Sequence, residues 1–305
     1  MGREIFEKDL TYVSELLRDV LGTERYISIE RMGGLTNHTY HVTLENGKEY
    51  VVRIPGDGTE ELIVRSDEKV STELACRLGV DAQMLYFDKD GSKVTEYIPN
   101  AVTMSPELLA QERHIEQIAE IFRKIHNCGE DTKVPFEVFD MAAGYEKIIS
   151  DMDVPMFADY QEKKQEVMAV KAEIDAATRI RKVPCHNDPL CENWVEGDGR
   201  MYLIDWEYAG MNDGMWDLAD VSIEAGFDES RDKLLLTKYL GKEPGITEMK
   251  HLLASKIYVD YLWTLWAKAR VPYDGQAMED WAVDRYRRMK ENLCAFNKLR
   301  EVNSL

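Results

Sequence analysis

The chain of 305 residues has no hydrophobic run near the roughly 18 residues that a membrane-spanning helix needs. Its first twenty residues, MGREIFEKDLTYVSELLRDV, are charged and amphipathic, so they read as a helix rather than a secretory signal. Phe6 stands where a myristoylation signal carries Ser or Thr. Basic residues are scarce: 38 Lys and Arg face 57 Asp and Glu, a formal charge of −19. Such a surface repels nucleic acid and anionic membranes, and it tolerates or attracts a cationic ligand. The five cysteines, Cys76, Cys128, Cys185, Cys191 and Cys294, include no C-x-x-C pair. An odd count without that spacing fits reduced thiols in a cytoplasm better than a disulfide frame or a zinc site. Neither an internal repeat nor a low-complexity linker interrupts the chain.

What is present divides into two regions. Residues 5–21 carry helical periodicity and stop at Gly22. RYISIERM reads as a strand, and HTYHVTLENGKEYVVRIPG reads as a hairpin turning at Asn46-Gly47. A helix is expected over 66–78, opened by Ser66 or Asp67 and ended by Gly79. A second hairpin, AQMLYFDKDGSKVTEYI, turns near Asp90-Gly91. After Pro99 the pattern becomes helical: 106–126, 141–151, 157–179, 214–226, 229–240, 246–270 and 276–300. The only strand-like pieces there are KVPC, NWVEG and RMYLIDW. The expected fold class is α+β, with a small antiparallel-sheet lobe over 1–98 and a larger, mainly helical lobe over 99–305. Clefts between such lobes commonly hold ligands.

The densest chemistry lies in HNDPLCENWVEGDGRMYLIDWEYAG, residues 186–210. His186, Asp188 and Asn193 form H-x-D-x-x-x-x-N, and Asp205 follows twelve residues later behind an apolar strand. The alternative is an acidic surface hairpin, but such a hairpin has no need of MYLI running into a core. The pattern resembles the catalytic loop of kinases, H-R-D-x-x-x-x-N. Mg2+ on a triphosphate wants hard oxygen ligands, which Asn193 and Asp205 supply. An acceptor hydroxyl needs a carboxylate to orient it and take its proton, a role that falls to Asp188.

H-N-D-x-x-x-x-N followed by I-D-W-E-Y-A-G is similar to the choline/ethanolamine kinase and aminoglycoside phosphotransferase superfamily. That superfamily has a protein-kinase-like fold with ATP in a cleft between the lobes, and it phosphorylates small molecules. The resemblance covers about residues 25–290. It implies a phosphate loop at Gly33, Gly34, Leu35, Thr36 and Asn37, whose glycines let backbone amides approach phosphate. Arg53, in VVRIPG, stands where protein kinases carry lysine, and it offers a planar fork of donors. Its partner is a glutamate of the next helix: Glu68 fits the family spacing best, and Glu73 is the alternative. Glu96, Tyr97 and Ile98 fall where the family's backbone meets the adenine edge.

The acceptor is addressed by aromatics. Trp263 and Trp266, in KIYVDYLWTLWAKAR, share one helix face. Spacing alone suits core packing as well as a box for a quaternary ammonium, whose charge each ring face attracts. The choline kinase branch carries a similar F-W-x-x-W segment lining its choline pocket. Trp281, and more loosely Tyr286, fall near a further aromatic position. Within WDLADVSIEAGF, Asp217 is expected to fix loop backbone, while Asp220 and Glu224 are candidates to face the cation. The C-terminal acid cluster of aminoglycoside kinases has no counterpart here. The resemblance thus implies a cytoplasmic ATP- and Mg2+-dependent kinase of choline, resembling the bacterial type. Ethanolamine, an aminoglycoside or another small alcohol is the alternative acceptor, and a nucleotide-binding pseudokinase is the alternative outside catalysis.

Overall fold

The computed structural model describes residues 7–32, 37–56 and 63–302, with side chains as far as 300. They form two compact units: residues up to 104 together with 192–209, and residues 105–191 together with 210 onward.

In the first unit, α1 (Glu7–Leu21) precedes a five-stranded sheet of order β1-β2-β3-β5-β4. Its strands are β1 (Tyr26–Arg31), β2 (Asn37–Leu44), β3 (Glu49–Pro55), β4 (Met84–Phe87) and β5 (Lys93–Glu96). All neighbouring pairs are antiparallel. Side chains alternate across a strand, so Tyr40, Val42 and Leu44 of β2, Tyr50 and Val52 of β3 and Val94 of β5 share one face. They bury it against Val13, Leu16 and Leu17 of α1. Asp9 of α1 fixes the approach, accepting from the Tyr40 hydroxyl at 2.6 Å and pairing with His38 at 2.7 Å. Asn46-Gly47 turns the first hairpin with Gly47 at φ +77°, a conformation glycine adopts freely.

The helix α2 (Arg65–Leu78) ends as expected at Gly79, which is left-handed at φ +62°. Its start differs from the expectation. The flanking residue is Val64, no side chain caps the turn, and neither Ser66 nor Asp67 opens it. Arg65 occupies the first position because its guanidinium is held by Glu68 and Glu207.

The expected boundary after residue 98 also shifts. Strands β6 (Val102–Thr103), β8 (Trp194–Gly197) and β9 (Arg200–Leu203) form a three-stranded sheet within the first unit. Val195 packs with Ile98 and Ala82 there. Apolar burial therefore joins the 194–203 hairpin to residues more than ninety positions earlier.

In the second unit, β7 (Lys182–Cys185) and β10 (Gly210–Asp213) form a two-stranded antiparallel ribbon. The expected helix over 106–126 divides into α3 (Pro106–Leu109) and α4 (Glu112–His126). Gln111 between them is extended, and the His114 ring meets the Leu108 carbonyl at 2.5 Å. Buried Ile115, Ile118, Phe122 and Ile125 form the inner stripe of α4. Helices α5 (Val138–Asp151), α6 (Tyr160–Ala177), α7 (Gly214–Glu224) and α10 (Gln276–Val302) pack around α9 (Ile246–Asp274), while α8 (Glu229–Leu240) packs on α4. Polar Ser255, Asp260, Thr264 and Lys268 are buried along α9 beside its apolar residues, as befits a helix enclosed on most sides. Among the described residues, no helix is long and apolar enough to cross a membrane.

Gly197 tests the packing of the hairpin. A Cβ there would lie 2.3 Å from Ile98 Cγ2 and 2.8 Å from the Pro99 carbonyl. Gly197→Ala should destabilise the protein by about 1–3 kcal/mol through overpacking, measured by urea denaturation. An unchanged midpoint would mean that the hairpin does not press on this segment.

Candidate active site

The loop after β7 is built from its backbone outward. Asp217, wholly buried in the first turns of α7, accepts the His186 N–H at 2.9 Å and the Asn187 N–H at 2.8 Å. His126 Nε2 lies 3.0 Å from the same carboxylate. Three polar contacts offset the cost of burying an anion. Asn187 is left-handed at φ +67°, which a non-glycine residue adopts only when its surroundings impose it. Here its side chain accepts from Asn212 at 3.0 Å and its carbonyl accepts from the Trp216 indole at 3.0 Å. Asp188 leaves this anchored pair half-buried, its N–H donating to His186 Nδ1 at 3.3 Å. Asp217 thus fixes loop backbone as the sequence led us to expect.

The first unit carries the expected phosphate and metal residues. Arg53 is buried on β3 and pairs with Glu68 at 2.5 Å. Glu73 lies on the exposed side of α2, so the choice between the two glutamates falls to Glu68. The Arg53 fork also reaches Asp205 at 3.4 Å and Glu207 at 3.3 Å, and it donates to the Gly91 carbonyl at 2.8 Å. Arg65 bridges Glu68 and Glu207, each at 2.7 Å, and Asn37 donates to Glu207 at 3.0 Å. Asp205 follows β9 in a left-handed conformation at φ +69°. Asn193 closes a short 3-10 turn, and its carbonyl accepts from the Ile204 N–H at 2.9 Å. Gly33, Gly34, Leu35 and Thr36 lie outside the described residues.

Oxygens of Glu68, Asp205 and Glu207 come within 4.8 Å of one another. Burial and the repulsion of Glu207 push the Asp205 carboxyl up to about 6, against the pull of Arg53. Burial also opposes ionisation of Glu207, but Arg53, with hydrogen bonds from Arg65 and Asn37, holds it below its ordinary range. A crowded set of hard oxygens, with one carboxylate disfavoured as an anion, fits a divalent cation of the Mg2+ type. Glu207 and Arg65 are functional candidates that reading the sequence missed. Glu207 stood in IDWE, two residues after Asp205 and therefore able to share its turn. Arg65 pairs locally with Glu68, but its link to the site runs through Glu207, 142 residues away, which no local pattern announces.

The adenine-edge expectation narrows. The Glu96 N–H donates to the Gln83 carbonyl at 2.9 Å and the Tyr97 N–H to the Glu49 carbonyl at 3.2 Å, so neither donor is open to a base. The Tyr97 ring stacks on His41 at 4.0 Å, and Ile98 packs in the small core with Val195.

In the second unit the tryptophans do meet. Trp263 and Trp266 stand at 90° with centroids 6.2 Å apart, and Trp281 sits edge-on to Trp266 at 5.8 Å. Trp216 of α7 meets Trp263 at 6.5 Å. Two expectations change. Glu224 is taken by an ion pair with Arg285, whose guanidinium lies 4.1 Å from the Trp281 ring. Tyr286 is used in packing: it stacks on Phe157 at 4.0 Å and donates to Asp159 at 2.9 Å. Sequence reading missed Arg285 because an internal arginine on a helix looks like any solvated one.

The family model for choline/ethanolamine kinases matches residues 29–243. A choline/ethanolamine kinase family protein from Mesorhizobium loti is 33% identical with a TM-score of 0.81, covering 94% of this chain and 99% of that one. The choline kinase LicA from Streptococcus pneumoniae is 31% identical with a TM-score of 0.81, covering 95% and 100%. A structure of LicA in complex with AMP is 30% identical with a TM-score of 0.76, covering 94% and 98%. The fold is protein-kinase-like.

Asp217 generates a direct test. Asp217→Asn keeps the shape but turns an amide N–H toward a backbone donor. We expect a loss of about 2–4 kcal/mol in stability and faster hydrogen exchange at the His186 and Asn187 amides. Unaltered exchange at both would show that Asp217 does not hold the loop.

Proposed function

This chain belongs to the choline/ethanolamine kinase family, and on that premise we propose that it is a cytoplasmic choline kinase, transferring the γ-phosphoryl group of ATP to the hydroxyl of choline. Asp188 accepts a hydrogen bond from that hydroxyl. It takes the proton as the new oxygen–phosphorus bond forms and the bond to ADP breaks. Arg53, held in place by Glu68, offers its fork to the phosphates, and we assign the Gly33–Asn37 segment to them from its sequence. Asn193 and Asp205 would hold Mg2+, with Glu207 as a further carboxylate. When bound, Mg2+ neutralises the charge of the triphosphate and stabilises the charge that develops on transfer. Trp263 and Trp266 receive the trimethylammonium, with Trp281 behind them.

The observation that carries this reading is the link from Asp188 to the tryptophans. Asp188 follows Asn187, whose carbonyl is bonded to the Trp216 indole, and Trp216 packs on Trp263. A base for the hydroxyl and a corner of ring faces for a cation are thereby joined by direct contacts. A weakly hydrated quaternary ammonium gains more from such faces than a primary ammonium, which loses hydrogen bonds to water. Choline is therefore favoured over ethanolamine. The LicA neighbour described as a choline kinase supports the same choice.

The test is kinetic. Asp188→Asn should lower kcat by about 10²–10⁴-fold while ATP affinity stays within a few-fold of wild type. Turnover close to wild type would remove Asp188 from the mechanism. A loss confined to KM would instead make it a binding group.

A further inference from the structure

Trp216, Asp220 and Glu224 lie at i, i+4 and i+8 of α7 and so share one face. At one end of that face Trp216 begins the contacts that run through Trp263 and Trp266 to Trp281. The other end is closed by Arg285, which covers the Trp281 ring and pairs with Glu224. The contacts make a ring, and Asp220 stands midway along the α7 side of it. Asp220 is fully buried, and neither of its carboxylate oxygens meets a hydrogen-bond donor among the described residues.

A buried carboxylate without a donor is costly and calls for a partner. The charges around it can be counted. Asp260 of α9 is fully buried, accepts from Arg288 at 2.8 and 2.6 Å, and lies 3.3 Å from Arg285. Arg285 pairs with Glu224 as well. Asp188 also raises the negative field at Asp220, but its carboxylate is assigned to the acceptor hydroxyl; apart from it, three carboxylates face two guanidiniums, and one negative charge is left over. Asp217, nearby, is already met by His126 and two backbone N–H groups.

Resting on the reading of this pocket as the acceptor site, we propose that Arg285 and Asp220 set its charge selectivity. Arg285 neutralises one carboxylate internally, so the ring presents a single unmet negative charge, on Asp220, matched to a monovalent cationic alcohol. Burial, reinforced by Glu224 and opposed by Arg285, disfavours the ionised form of Asp220 until such a cation arrives. An internal arginine over Trp281 also keeps that ring face from a second cationic centre. A polycationic acceptor would leave surplus positive charge in the same space.

The experiment compares choline with 3,3-dimethylbutan-1-ol, its uncharged carbon isostere, by isothermal titration calorimetry on the full chain. Asp220→Asn should lower the affinity ratio of choline over the isostere by about tenfold or more. Arg285→Gln, which adds one unmet negative charge, should hold or raise that ratio. The double variant should return it toward the wild-type value. An unchanged ratio in D220N, or a fall in R285Q like that in D220N, would overturn the proposal. Should D220N fail to fold, R285Q decides alone: a ratio at or above wild type supports the charge count, and a fall overturns it. Phosphoryl transfer is scored separately. Selective choline binding without transfer would sink the kinase reading and leave the charge count standing. Transfer with unaltered selectivity in D220N would do the reverse.

Discussion

The carboxylate of Asp217 is placed where no water reaches it. An isolated carboxylate in such a position would cost several kcal/mol or take up a proton. Here two successive backbone N–H groups and an imidazole converge on it. That convergence sets the path of the chain and holds Asn187 in the left-handed region immediately before Asp188. Backbone held this way needs no reorganisation when a substrate arrives, which is the larger part of what a phosphoryl-transfer site requires of its protein.

The remaining charges divide into two groups with opposite logic. In the first unit, Glu68, Asp205 and Glu207 are gathered by Arg53 and Arg65 into a dense network whose carboxylates crowd one another. Two planar forks hold several oxygens in fixed geometry, where a lysine at position 53 would offer a single point charge on a flexible stem. In the second unit, aromatic faces dominate and the ionic groups are nearly balanced, with Asp220 as the residue left over. A highly charged ligand suits the first environment and a single diffuse cation the second.

Much of this was legible in the sequence wherever the deciding interaction is local. Asn46-Gly47 and Gly79 announced a turn and a helix stop because left-handed backbone is a property of the residue itself. The spacing of His186, Asp188, Asn193 and Asp205 announced a loop followed by a hairpin, because neighbouring residues carry all four. The misses have a common cause. Helix α2 begins at Arg65 because Glu207, far along the chain, holds its guanidinium. The 194–203 hairpin joins the first unit because Ile98 and Ala82 receive Val195. Glu224 is spoken for by Arg285, 61 residues away, and no local pattern distinguishes that arginine from the solvated ones around it.

The central claim concerns the identity of the acceptor. It is met most directly by phosphorus NMR of the protein with ATP, Mg2+ and an equimolar mixture of choline, ethanolamine and kanamycin. The account predicts that phosphocholine and ADP grow together, with phosphocholine the dominant new phosphoester from the first turnovers. Phosphoethanolamine or a phosphorylated aminoglycoside as the leading product, or ADP released with free phosphate alone, would contradict it.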